Sequence, residues 1–104
     1  MRPVLFHEQA KAELTETAVW YERQKPGLAR EFRSAVEDAV LRIQENPHAG
    51  SSYGATSFRF LLVRRFPYVV FYAVGEHIIR VLAVAHGSRR PGYWIRRGNP
   101  NAEG

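Results

Sequence analysis

His86, Arg89, Arg90, Tyr93 and Trp94 fall within one short stretch, VAHGSRRPGYW, where an apolar run suited to a β-strand gives way to cations and aromatics. Further arginines stand in the same half of the chain, with Arg59, Arg64 and Arg65 on one apolar run and Arg80 on another. A guanidinium stays charged at every cellular pH and grips phosphate or carboxylate oxygens with two parallel N–H bonds, while Tyr and Trp offer flat faces to nucleobases. Such a set fits a surface that binds an acidic macromolecule. It also holds the parts of a ribonuclease, which needs a group to take the 2′-hydroxyl proton, cations for the pentacoordinate phosphate and an acid for the leaving oxygen. In that scheme His86 is base or acid, Arg65 and Arg89 clamp the phosphate, and Tyr93 stacks or donates a proton. The plainer alternative is that His86 and Tyr93 finish a strand and pack its end, and periodicity alone favours it.

Other chemistries find no support. There is no phosphate-binding glycine loop, GxSxG elbow or HExxH helix. The absence of cysteine removes disulfides, thiol catalysis and thiolate metal sites, and agrees with a reducing compartment. His7, His48, His77 and His86 are far apart on different elements, so the expectation is no metal and no cofactor. No stretch approaches the ~20 apolar residues that span a bilayer, and the expectation is a soluble, cytoplasmic protein with no membrane partner. The net charge of +5 is unevenly placed. Residues 1–56 carry seven Lys and Arg against eight Asp and Glu, whereas residues 57–104 carry eight Arg, no Lys and only Glu76 and Glu103. Basic charge gathered in one half of a small domain favours acidic partners.

The elements that must position these groups are legible from periodicity. At 104 residues the chain has room for one domain, read here as 1–98, followed by a polar tail at 99–104 expected to be disordered. Val4, Leu5 and Phe6 predict a brief strand at about 2–7. A helix follows from about Glu8 to Gln24, with Ala10, Leu14, Thr17, Ala18 and Tyr21 on its inner face and Glu13 among the charged residues of its flanks and back. A second helix is predicted from Pro26 to about Glu45, with Leu28, Phe32, Ala35, Val36, Ala39 and Ile43 as its stripe. The short connection folds the two into an antiparallel hairpin. Trp20 and Leu41 lie off the stripes and are read as widening the core face. Residues 48–57, HAGSSYGATS, predict a loop. Three strand-like runs then follow, Phe58 to Arg65, Tyr68 to Val74 and Ile78 to Ala85, predicting an antiparallel meander. The first strand adds to an edge and the hairpin covers one face, giving an α+β domain of order β-α-α-β-β-β.

The segments WYERQKPGLAREFRSAVEDAVLRIQENP, RRFPYVVFY and IIRVLAVAHGSRRPGYW, in that order, resemble the RelE/ParE superfamily, the toxin components of type II toxin-antitoxin modules. The resemblance runs from about Val4 to Trp94 and implies the same β-α-α-β-β-β fold. It also implies one of two activities on that scaffold. ParE-like toxins inhibit DNA gyrase, without chemistry on the toxin chain. RelE-like toxins are ribosome-dependent mRNA endonucleases. Either kind implies a cognate antitoxin as partner, here an acidic, partly disordered, ParD-like protein. The long helices look like the hairpin of ParE-like members, and no lysine after Lys25 matches those of RelE-like sites, so the ParE-like reading leads. In it no residue is catalytic, and Arg59, Arg64, Arg65, Arg80, His86, Arg89, Arg90, Tyr93 and Trp94 bind target or antitoxin. In the RelE-like alternative Arg65, His86, Arg89 and Tyr93, at the positions where such toxins place their last catalytic groups, act on mRNA in the ribosome. A third reading is a degenerate, non-toxic member that still binds an antitoxin.

Overall fold

Strand β1 (Val4–Phe6) leads directly into helix α1 (Glu8–Gln24), which turns back into α2 (Leu28–Glu45). A two-residue strand β2 (Ser51–Ser52), β3 (Arg59–Leu62), β4 (Tyr68–Val74) and β5 (Ile79–His86) follow, and a short 3₁₀ turn (Ile95–Gly98) closes the described chain. The structure is a computed structural model and describes residues 1–98. The tail expected at 99–104 lies outside the described residues.

The sheet order is β1-β5-β4-β3-β2, so β5, the last strand in sequence, lies inside the sheet. β3, β4 and β5 form the predicted antiparallel meander. β1 adds to the edge of β5 as expected and does so in parallel, with Val4 opposite Ile79 and Phe6 opposite Val81, which makes the sheet mixed. Hydrophobic period marks a strand without giving its direction. The predicted loop at 48–57 contributes β2, which pairs with Arg59 and Phe60.

His7 starts α1, its ring Nδ1 accepting the Gln9 N–H at 3.0 Å. The second helix begins later than Pro26, because Gly27 takes a left-handed φ of 93° and ends the connection. No side chain at Gly27 can cap the new helix. Glu22 does so from across the hairpin, its carboxylate accepting the N–H groups of Gly27 and Ala29 at 3.1 Å. These bonds hold the Glu22 pKa below the ordinary carboxylate value.

The hairpin covers one face of the sheet. Phe32, Val36 and Ile43 pack onto Val70, Tyr72, Ile79, Val81 and Val84. An aromatic group of Tyr21, Phe32, Phe66 and Tyr68 seals the end of this core, with ring centroids 5.0–5.3 Å apart along the Tyr21, Phe32 and Phe66 contacts. Trp20 and Leu41 do not widen it. They are 53% and 50% exposed, because the stripes centred on Ala18 and Phe32 already fill the space above the sheet.

β5 carries the irregularity that matters for the site. Phe71 faces Ala83 and Tyr72 faces Val81, so Leu82 is an extra residue on β5. Strict alternation is broken there. Leu82 and Ala83 both join a second cluster, around Trp94, on the face away from the helices.

Candidate functional site

The chain leaves β5 at His86 and is folded back by local bonds. Gly87 N–H reaches Pro67 O at 2.9 Å, Arg89 N–H reaches His86 O at 3.0 Å, and Gly92 turns the backbone at φ 74°. The His86 Nδ1 accepts from the Ser88 backbone N–H at 3.0 Å and lies 2.7 Å from the Ser88 hydroxyl. An amide can only donate, so Nδ1 is the acceptor, and a neutral His86 carries its proton on Nε2. In that tautomer the outer nitrogen is a donor and offers no lone pair for base catalysis.

Past the turn, the aromatics of the motif go inward. Trp94 is 1% exposed, stacked on Phe71 at 4.5 Å and flanked edge-on by Tyr53 and Phe58 at 5.0 and 5.4 Å. It fills the far-face core and leaves no ring face for a nucleobase. Tyr93 is half-buried, and its hydroxyl donates to Glu13 Oε2 at 2.7 Å. Arg89 lies over its ring at 4.1 Å and Arg97 at 5.0 Å. Burial, followed by the Glu13 bond and charge, pushes the Tyr93 pKa up to about 12. The hydroxyl is therefore a fixed donor over the whole physiological range.

Glu13 is the residue that sequence reading placed wrongly, on the flank of α1. Its side chain is 13% exposed and gathers three donors. Oε1 accepts the Val84 backbone N–H at 3.1 Å and the Arg97 Nη1 at 3.1 Å, and Oε2 takes Tyr93. The sheet explains why. β1 pairs only with Ile79 to Val81, and His7 N–H takes Val81 O, so past that point the β1 side of β5 has no strand partner. Glu13 satisfies the Val84 N–H, and Arg97 donates to Leu82 O at 3.0 Å. Two opposite charges thus replace a missing strand, each satisfied by the backbone and by the other. The signal was present in the spacing, since Glu13 stands three after Ala10 and four before Thr17, on the inner stripe.

The remaining candidates divide by location. Arg59 donates from Nη1 to Gly50 O at 2.8 Å, beside a Tyr72 hydroxyl that donates to Pro47 O at 2.8 Å and accepts from Gly50 N–H, so it braces the loop before β2. Arg64 and Arg65 are exposed in the β3–β4 turn, where Arg65 takes a φ of 71° that side chains rarely adopt. His86, Arg89, Arg90, Tyr93 and Trp94 line one small pocket of about 180 Å³. Arg80 lies apart from them, in an open groove of about 850 Å³ with His7, Arg96 and Arg97, and Tyr93 walls both. Arg65 lines neither, so the four groups of the nuclease scheme do not surround one space. Among the described residues no three His, Asp or Glu side chains are grouped to hold a metal ion, and no helix is long and apolar enough to cross a membrane.

The fold is an αα-hairpin on a mixed sheet with a cationic rim at the end of its last strand, and comparison with known proteins gives the family. Residues 4–91 match the family described as the ParE toxin of the type II toxin-antitoxin system, parDE. The chain belongs to that family. Its fold is similar to that of a solved chain titled the chromosomal ParDE TA system from P. aeruginosa, with a TM-score of 0.64 and 21% identity over 83% of this chain and 96% of that one. No curated protein matches the chain.

Proposed function

We propose that this ParE-family toxin inhibits DNA gyrase in the cytoplasm and is neutralised by a cognate antitoxin, binding its target without chemistry of its own. The observation that carries the choice is the state of the groups an endonuclease would need. Tyr93 is committed to Glu13 with its pKa raised to about 12, and Arg65 lines neither space that the other groups line. The 17- and 18-residue helices support a ParE-like hairpin.

The exposed cations Arg64, Arg65, Arg89 and Arg90 are suited to carboxylates of an acidic, partly disordered, ParD-like antitoxin, and exposed Leu5, Val19 and Leu41 to its apolar side chains. Purified toxin should stop gyrase supercoiling, and equimolar antitoxin should restore it. If supercoiling continues while a control poison halts it, the gyrase reading is lost. Antitoxin affinity should fall as salt rises, because the arginines are solvent-facing.

One observation favours the endonuclease alternative, namely that His86, Arg89 and Tyr93 share a pocket. It requires that ribosome-bound mRNA be cut and that His86→Ala and Arg89→Ala abolish the cutting. Expression without antitoxin separates both readings from a non-toxic member, which would leave growth unchanged.

A further inference from the structure

The two arginine-lined depressions adjoin at Tyr93. Tyr93 is their common wall, with Arg89 against its ring on one side and Arg97 also against it. Arg89 and Arg90 line the depression on one side of Tyr93, and Arg80, Arg96 and Arg97 line the groove on the other, so arginines from three segments flank one residue, and no acidic residue occurs between Glu76 and Glu103. The carboxylates close by are engaged inward or sideways. Glu13 sits behind Tyr93 on Arg97, and Glu8, at the groove's edge, meets Lys11 at 3.2 Å. Arg89, Arg90 and Arg96 remain exposed.

We propose that these arginines bind the phosphate backbone of duplex DNA. Three features select that ligand. The cations are all arginines, whose planar fork fits phosphate oxygens in pairs. They line two adjoining depressions, one of them an open groove of about 850 Å³, which suits a polymer with repeated anions. The aromatic faces are not available, since Trp94 is buried and Tyr93 is covered by guanidinium groups, so the site has no platform on which unpaired bases would stack. Contact is then to the backbone, without sequence preference. The inference goes beyond gyrase inhibition and stands on these arginines alone.

The test is fluorescence anisotropy of the purified chain with a labelled 20-bp duplex across a salt series. With about three phosphates engaged by the exposed arginines, affinity should drop roughly fortyfold between 50 and 200 mM salt. The Arg90→Gln/Arg96→Gln pair should weaken binding at least about tenfold at low salt and reduce the log–log salt slope by about two. The Arg30→Gln/Arg33→Gln pair, exposed on α2, removes the same charge and should leave both values near those of the parent. No binding at 50 mM salt, equal losses in both pairs, or single-stranded DNA bound more tightly than duplex would each overturn the proposal. Polyglutamate bound where DNA is not would assign the arginines to a protein partner instead. Supercoiling assays on the same samples keep the two readings separate. Duplex binding without inhibition removes the gyrase target alone, and inhibition without duplex binding removes the DNA site alone.

Discussion

The two faces of the sheet are buried by different means. On the helix side, two amphipathic helices lay repeating apolar stripes over Val70, Tyr72, Ile79, Val81 and Val84. On the far side, Trp94 is the centre of a smaller core whose walls come from Tyr53, Phe58, Phe71 and Leu82, with the 3₁₀ turn beneath. The first core is assembled from elements that each advertise their inner face. The second is assembled from the outer side of β4 and β5 together with single residues of the loops and the 3₁₀ turn, and those single residues follow no periodic pattern. An aromatic in the second core is thus easily mistaken for a binding group. Removing one anchor from each face measures the difference. Phe32→Ala should cost about 4 kcal/mol, because the cavity lies between rigid helices and sheet. Trp94→Ala should cost about 3 kcal/mol, because the covering loop can settle into the space. Urea denaturation gives both values, and hydrogen exchange should show local opening of 87–98 only in the second variant. A Trp94→Ala chain as stable as the parent would mean that Trp94 faces outward after all.

Glu13 ties the two faces together, since it lies on α1 and bonds to β5, Tyr93 and Arg97. Glu13→Ala strands the Arg97 charge and the Val84 amide on the unpaired side of β5. The expected loss is about 2–3 kcal/mol by urea denaturation. A double-mutant cycle with Arg97→Ala should show coupling well above the few tenths of a kcal/mol typical of exposed pairs. Purely additive losses would reduce the pair to a surface contact.

The same contrast sets what the sequence disclosed. The helices, the meander and the bounds of β4 follow from periods of 3.6 and 2, because burial on one side imposes them. The parallel entry of β1 and the extra residue at Leu82 do not, because pairing across the chain and a bulge leave no local pattern. His86 to Trp94 are neighbours in sequence, whereas Arg59, Arg64, Arg65 and Arg80 join them as candidates by charge alone. Folding separates them by role: Trp94 and Arg59 brace the scaffold, Tyr93 is clamped, and Arg89, Arg90, Arg64 and Arg65 stay outside. Arg96 and Arg97 lay just past the motif and were overlooked, although their charge matched it. Glu13 was obscured by its type, since a carboxylate on an inner stripe is assigned outward unless its partners are known.

A smaller effect isolates the hydroxyl that joins the far-face segment to α1. Tyr93→Phe keeps the ring and its arginine contacts, loses the bond to Glu13, and should cost about 1 kcal/mol at neutral pH. Its titration has a definite sign. Below pH 10 the hydroxyl is protonated in both folded and unfolded chains, so its contribution is constant. Above its ordinary value of 10.0 the unfolded chain ionises first, and stability falls until the folded value of about 12 is passed. The parent should therefore lose stability in this window faster than Tyr93→Phe. Parallel curves for the two would show that Tyr93 is solvated.

The smallest expected change concerns the one candidate held in an unfavourable backbone conformation. Arg65 has a φ of 71°, where a side chain costs about 1 kcal/mol or more and glycine costs less. After allowing for the greater freedom of glycine in the unfolded chain, Arg65→Gly should stabilise the fold by about 0.5 kcal/mol. The proposed contact with target or antitoxin should weaken at the same time, since the variant removes an exposed cation. A residue proposed for binding and disfavoured by its backbone is the reverse of Trp94, which is buried in the far-face core. Denaturation and antitoxin titration on one Arg65→Gly sample measure both quantities. If stability rises while affinity is unchanged, Arg65 is only a strained turn residue, and the exposed site contracts to Arg64 and the arginines that follow β5.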